Sequence, residues 1–511
     1  MTWIDYSMIG AYAVGIVVMG AWFARSQNTY EDYLLGGRSM GWLVIGISQL
    51  ASLLSAISYL GAPGESYGHG LLYVVFNISG YLVIPLVIYL YLNFFFRLRI
   101  VSIYEYLERR FNYATRCLAS FIFILDRLCW MATIVSAVSI AIETLTGLEP
   151  WKCIVATAAV ATLYTTVGGM KAIIWTDVVQ FLLFAAGLVG ALVLIGRMDS
   201  PAELVTIAFE AGKLQIWDFQ FDPTVRLTFW IGITAGMVAG LANMTDQVSM
   251  QRYLSARSLR EARKAVWFKP LLGVPVMAML YAMGLALYGH YQLHPERAVG
   301  ISGPDNAFPH FILHEMPPGM SGLIIAAVFA AAMSSIDSGI HTLSTVCIED
   351  FYKRLIRPAA SDRHYLLLAK WLTLTFGVLI TCIALAFARI GSIFDMMASL
   401  AAPFFGCAVG IFILGTSTRR ATAWGTFCGA LIGYACVLWV KFGIHQVDGH
   451  WHPTPWTFDE QAAVSVKTIS KFWLPFVSFA GTVVSGYLIS LTMSHPTSTK
   501  LLGLNIWDHK D

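Results

Sequence analysis

The sequence predicts an all-α polytopic membrane protein with about thirteen transmembrane helices, each long enough to cross a hydrocarbon core. Three observations predict it. The 511-residue chain is 57% hydrophobic and only 12% charged, with a mean hydropathy of +0.66. Apolar windows of spanning length follow one another from end to end. The basic residues also crowd onto alternate connectors, as they do in the cytoplasmic loops of membrane proteins.

The windows run over 3–24, 41–65, 69–97, 116–147, 150–167, 172–197, 226–250, 266–290, 320–348, 364–389, 391–416, 421–443 and 469–493. One set of connectors carries Arg25, Arg38, Arg99, Arg109, Arg110, Lys171, Arg252, Arg257, Arg260, Arg263, Lys264, Lys353, Arg354, Arg357, Arg363, Arg419 and Arg420. The other carries little more than Lys213, Arg297 and Lys467, and its segment 198–225 is acidic, with Asp199, Glu203, Glu210, Asp218 and Asp222. This bias puts the N-terminus outside and the C-terminus in the cytoplasm, across a plasma (inner) membrane. The start, MTWIDYS, holds an acid and no basic stretch, so no cleaved signal peptide is expected. The eight cysteines are scattered singly through apolar runs and read as small buried hydrophobes, neither disulfides nor zinc ligands. The connectors are too short for a soluble domain, and the bilayer is the expected partner, with no nucleic acid.

The second window, Gly41 to Gly70, opens apolar and then fills with Ser48, Ala51, Ser52, Ser55, Ala56 and Ser58 before Gly61, Pro63, Gly64, Gly68 and Gly70. A helix in lipid tolerates such interruptions only where protein or a water-filled cavity satisfies the backbone. Interrupted helices offer free carbonyls to a cation; small residues equally make a close helix–helix seam. Spans two to six and seven to eleven are each an odd number, so the second set would be inverted relative to the first. Span seven carries Gly232, Gly236 and Gly240 and matches the small-residue character of span two. The expected division is 1–40, a first helix and inner connector; 41–197, a first five-helix repeat; 198–225, an outer loop; 226–416, a second, inverted repeat; and 417–511, two peripheral helices and a short tail.

In the ninth span Ser334, Asp337, Ser338 and His341 fall at i, i+3, i+4 and i+7, one stripe of a helix, with Ser335 beside them. A carboxylate near the middle of a span costs about 2.5–3.5 kcal/mol on insertion scales, so Asp337 should face a partner or a cavity. Hydroxyls flanking it suit a hard cation, which takes oxygen ligands. The structural alternative is that Asp337 bonds His341 one turn away. A second buried acid, Asp177, lies just inside the inner end of span six, and Asp126–Arg127 lies in span four. Arg127 reads as a neutral pair with its neighbour, as the partner of another helix, or as a guanidinium reaching an anionic substrate. No phosphate-binding loop, nucleophile elbow or metalloprotease motif occurs, and no enzyme is expected.

With these residues laid out, the chain resembles the sodium/solute symporter family. The resemblance rests on Asp32-Tyr33-Leu34-Leu35-Gly36-Gly37-Arg38, on Gly168-Gly169-Met170-Lys171-Ala172 and on Trp175-Thr176-Asp177-Val178-Val179-Gln180. It continues in Thr245-Asp246-Gln247, Gln251-Arg252-Tyr253-Leu254-Ser255-Ala256-Arg257, Met333-Ser334-Ser335 and Asp350-Phe351-Tyr352-Lys353. It implies the leucine-transporter type of fold, a five-plus-five inverted repeat, and sodium as a co-transported ion. It further implies a sodium site made by carbonyls of Ala51, Leu54 and Ala331 with hydroxyls of Ser334 and Ser335. In some members a second cation lies deeper, at positions matching Asp177, Ser334, Asp337 and Ser338. The substrate pocket maps to Leu53, Ser55, Ser58, Asn77, Trp130, Ala239 and Ala242, to which the guanidinium of Arg127 is added.

Sugar-carrying relatives place a polar residue and a stacking ring where this chain has Ala239 and Ala242. Leu60-Gly61-Ala62-Pro63 with Glu65, Tyr67 and Gly70 instead resembles the monocarboxylate, vitamin and iodide branch. In sialic-acid-type members an arginine grips the carboxylate; its position matches Trp130, and Arg127 lies about one turn away. The resemblance thus implies a sodium-coupled importer of a small organic solute, with a carboxylate as the expected cargo. A sugar or polyol symporter is the alternative within transport, and a transporter-like membrane sensor the alternative outside it.

Overall fold

The computed structural model describes residues 2–25, 27, 29–146, 148–387, 402–447, 450–453, 466–494 and 503–508. Its first half contains α1 (Trp3–Ala24), α2 (Tyr30–Leu35), α3 (Trp42–Leu53), α4 (Ala62–His69), α5 (Val74–Leu82), α6 (Ile84–Leu86), α7 (Asn93–Leu98), α8 (Glu105–Arg110) and α9 (Tyr113–Thr146). Then follow α10 (Pro150–Met198), α11 (Pro201–Glu210), α12 (Phe229–Ala242), α13 (Gln247–Leu254), α14 (Leu259–Leu293), α15 (Ala307–His314), α16 (Met320–Val346) and α17 (Asp362–Phe387). Three further helices cover Ala402–Ser417, Ala423–Leu438 and Leu474–Leu491. Nine helices among the described residues are long and apolar enough to cross a membrane. Each expected span has a helical counterpart, but residues 391–401 of the eleventh lie outside the described residues.

Two compact units divide the chain. One is built from Met1–Leu71, Arg127–Ile216 and Gln247–Met396, the other from Leu72–Asp126, Trp217–Asp246 and Met397–Asp511. In the first unit α16 is the central element, packed by α1, α3, α10 and α17. Every residue from Ala330 to Val346 is buried. Ser334, Asp337, Ser338, His341 and Thr345 would be costly against lipid, so the helix that carries them becomes a core. α1 is the converse case, with Trp3, Val14 and Trp22 exposed as a lipid-facing helix should leave them. Its Asp5 is buried, and Asp5 Oδ1 accepts from the backbone N–H groups of Gly319 at 2.8 Å and Gly322 at 2.9 Å. These are orphan donors at the start of α16, so an acid from another helix does the capping.

The 49 residues of α10 are two spans joined at Gly169, whose φ of 58° and ψ of −168° only glycine adopts readily. The break agrees with the boundary expected between spans five and six. Gln27 donates to the carbonyl of Gly168, and a Cβ at Gly169 would lie 2.8 Å from the Tyr33 ring. The Asp32–Arg38 motif is a helix stop. Thr29 and Asp32 form a capping box on α2, and Gly36, Gly37 and Arg38 are three successive left-handed residues, with φ of 56°, 65° and 50°.

The interruption of span two lies earlier than the glycines and proline indicate. α3 stops at Leu53, Leu54 has non-helical φ and ψ of −81° and 74°, and the chain turns by 63° before continuing as a helix. Gly61, Pro63, Gly64 and Gly68 sit inside that continuation. Pro63 follows the π-helical turn Ile57–Gly61, the kind of local adjustment that accommodates a proline within a membrane helix. Gly64 and Gly68 allow close approach, since added Cβ atoms would lie 2.6 Å from Asp305 Oδ1 and 2.8 Å from Pro304.

In the second unit α12 packs on α5. The Gly232–Gly236–Gly240 stripe is the seam between them, facing Val75, Phe76, Ser79 and Gly80, with Ser79 Oγ donating to Gly232 O at 2.9 Å. Two arginines of the basic connectors are buried. Arg110 is buried and donates to carbonyls of Gly415, Thr418 and Ala421. Arg252, counted with an inner loop, lies on α13 with no exposed side-chain surface. Each meets enough carbonyl or carboxylate acceptors to be buried. The expected outer loop 198–225 contains α11. A feature the helical pattern gave no hint of is a small antiparallel sheet, β1 (Ile444–Val447) pairing with both β2 (His450–Pro453) and β3 (Val466–Lys467).

Candidate cation and substrate site

The end of α3 supplies what a cation site requires. The last four carbonyls of a helix have no intrahelical donor. Leu50 O receives the N–H of Leu54 at 2.9 Å. The next two are met by α16: Ser334 Oγ lies 3.0 Å from Ala51 O and 3.0 Å from Ala331 O, and Ser335 Oγ donates to Ser52 O at 2.9 Å. Of the five expected sodium ligands, the Ala51 and Ala331 carbonyls meet at the Ser334 hydroxyl, and the Ser335 hydroxyl is taken by the neighbouring carbonyl of Ser52. Leu54, the fifth, is buried at the break itself. The arrangement is a set of hard oxygen donors in an enclosed place, of the kind a hard cation takes.

About one helical turn along α16 lie the two acids. Asp337 accepts from Tyr164 OH at 2.6 Å and from Ser338 Oγ at 2.8 Å. His341 is not its partner; its Nε2 lies 3.0 Å from Tyr33 O, one of the last carbonyls of α2, which the stop at Leu35 leaves without an intrahelical donor. Asp177 Oδ2 accepts from Ser48 Oγ at 2.5 Å and from Arg252 Nη2 at 3.0 Å. The same guanidinium reaches Ser48 Oγ at 2.9 Å and Ser338 Oγ. Arg252 and Ser338 thereby bridge the two acids. A positive charge between them is what two close carboxylates require, and the chain supplies one. Asp177 Oδ1 is buried with no hydrogen-bond partner.

Sequence reasoning missed Arg252, Ser48 and Tyr164 as members of this cluster. Arg252 was hidden by its place in a basic run; the signal that could have found it is the motif Gln251–Arg257 that contains it. Gln251 of that motif donates to Leu34 O at 2.8 Å and to Thr345 Oγ1 at 3.2 Å. The Met40 N–H donates to Ser255 O and the Arg257 N–H to Met40 O, both at 3.2 Å. The motif is thus a staple that holds α2, α13 and α16 together.

The substrate-pocket residues fall on several elements. Leu53, Ser55 and Ser58 flank the α3 break, and Ser55 is buried. Arg127 and Trp130 share α9, with the guanidinium 5.9 Å from the indole centroid, a cation–π distance. Asn77 is on α5, its amide nitrogen 3.4 Å from Tyr73 O, and Ala239 and Ala242 are on α12.

Comparison with known proteins gives a consistent picture. The profile of the sodium:solute symporter family matches residues 33–433. The chain is 31% identical over 451 residues to sodium-coupled monocarboxylate transporter 1 of Homo sapiens, covering 86% of this chain and 73% of that one. It is 31% identical over 448 residues to the sodium/sialic acid symporter SiaT of Proteus mirabilis, covering 86% and 90%. Among solved structures it is similar to a substrate-bound, outward-open Na+-coupled sialic acid symporter, with a TM-score of 0.86 and 26% identity over 97% of this chain and 99% of that one. Mhp1, a nucleobase-cation symporter, shares the fold at a TM-score of 0.54 and 12% identity over 92% and 97%.

Proposed function

Because the chain belongs to the sodium:solute symporter family, we propose that it imports a small organic carboxylate together with sodium, by alternating access. That it is a sodium-coupled symporter of a small organic solute and not an enzyme follows from the family and its members. The observation that carries the sodium assignment is the convergence of Ala51 O, Ala331 O and Ser334 Oγ within 3.0 Å contacts, with Ser335 one residue on. Leu54 O completes the set, and Asp177, Ser334, Asp337 and Ser338 form a second cation site that shares its charge with Arg252. A ligand shifts a conformational equilibrium only by its differential affinity. Sodium therefore binds the outward-facing form better, and it does so by tying the α3 break to α16. The carboxylate reading is supported by relatives named for monocarboxylates and sialic acid and by Arg127 beside Trp130 on α9. In the first unit Leu53, Ser55 and Ser58, at the α3 break, are the other residues we assign to the substrate. The protein sits in the plasma membrane with its N-terminus outside, an orientation supported by the basic bias of the connectors.

Uptake into proteoliposomes with and without an inward sodium gradient tests this reading. Short-chain monocarboxylates and sialic acid should compete with the transported solute, and glucose and inositol should not; the opposite ranking overturns the carboxylate assignment. Ser334→Ala and Ser335→Ala should each raise the half-saturating sodium concentration about tenfold, from about 1.5 kcal/mol per lost bond to a charged group. An unchanged sodium requirement in both variants removes the site.

A further inference from the structure

We propose that Asp199, His290 and His294 form a site for a divalent transition metal, with zinc as its occupant, separate from the sodium and substrate sites. His290 and His294 lie one turn apart at the end of α14, on one face of the helix. Asp199 is the residue that terminates α10. Its Oδ2 is 2.5 Å from His290 Nδ1 and its Oδ1 is 2.9 Å from His294 Nε2. The three ligand atoms lie within 4.8 Å of one another, and this is the one such group among the described residues. The His290 side chain has no exposed surface and that of Asp199 only 6%, while His294 is 32% exposed.

Two imidazole nitrogens and a carboxylate oxygen are a donor set for zinc, and three protein ligands leave a fourth, open position. The exposed side of His294 is where water would fill it. Calcium and magnesium, which demand oxygen ligands, are excluded by the two nitrogens. A metal-bound imidazole keeps its proton on the far nitrogen, where a carboxylate commonly faces it. Glu296 Oε1 stands 3.8 Å from His294 Nδ1 in that position. The metal would replace the two imidazole–carboxylate contacts and pin the end of α10 to the end of α14. Asp5, at the start of α1, caps the first turn of α16, and the connector from α14 to α16 therefore lies on the N-terminal face of the bundle. On the orientation proposed above that face is extracellular, where zinc has direct access.

Calorimetric titration of the purified full-length protein with zinc chloride, in sodium-containing buffer, tests the proposal. One zinc per chain should bind, calcium should give no heat, and cobalt(II) should show the visible absorption of a nitrogen- and oxygen-ligated ion. His294→Gln, at a partly exposed position where folding is not at risk, should weaken zinc at least about tenfold. His290→Asn should do the same, with sodium-driven uptake in zinc-free buffer confirming that it folds. His310→Gln, a histidine outside the group, should leave the affinity unchanged. Zinc binding of undiminished affinity in both His290→Asn and His294→Gln, or no stoichiometric binding to the wild type, overturns the site. Since the readout is binding of zinc, failure here leaves the sodium-symport reading intact.

Discussion

The Arg252–Asp177 pair gives the sharpest energetic test of the core around α16. Both side chains are without exposed surface, and nitrogen and oxygen are 3.0 Å apart. With the charge centres about 4 Å apart, the attraction is about 4 kcal/mol at an effective dielectric of about 20. Removing one partner strands the other charge in the interior, which costs about 3–5 kcal/mol. Asp177→Asn strands the guanidinium, and Arg252→Met strands the carboxylate. The double variant strands neither, and the carboxamide that replaces the carboxylate keeps an acceptor for the Ser48 hydroxyl. Unfolding free energies from denaturant titration in lipid bicelles, with choline replacing sodium, complete the cycle. Each single variant should lose about 3–5 kcal/mol, and the double variant less than their sum by about 2–3 kcal/mol. If the two single losses add to within about 0.5 kcal/mol, the side chains share no charge pair and the argument fails.

Three other expectations follow from single observations. Gly169→Ala should destabilise the protein by about 1–3 kcal/mol, because its φ of 58° and ψ of −168° are closed to a side chain; unchanged thermal stability would mean that the break between the two halves of α10 is not tied to that conformation. Arg127→Gln should raise the half-saturating concentration of a carboxylate substrate about tenfold while the sodium requirement stays put, since a charge-assisted hydrogen bond is worth about 1.5–3 kcal/mol; an equal rise in both would tie Arg127 to folding or to sodium instead. Membrane-impermeant labelling of cysteines placed near Thr2 and near Asn505 should mark opposite faces of sealed vesicles, and labelling from one face alone would refute the odd number of spans.

The sequence by itself determined the class of fold, because hydropathy and basic bias report on the bilayer, a solvent that acts on each span separately. It determined that Asp337 and its flanking serines are buried, since a carboxylate in mid-span has nowhere else to go. By its motifs it also named the residues at the meeting of α3 and α16. Other features depend on which atoms meet, and only the tertiary structure decided them. The break of span two falls at Leu54 and not at Pro63 because the π-helical turn ahead of Pro63 accommodates the proline, whereas carbonyls that α16 can satisfy let α3 stop early. Gly232, Gly236 and Gly240 form a seam because α5 lies against them. Arg252 looked like one more cytoplasmic charge, since a one-dimensional pattern cannot distinguish a solvated guanidinium from a paired one. Ser48, Asp177 and Ser338 come from three separate helices, and only their convergence makes burying that charge favourable.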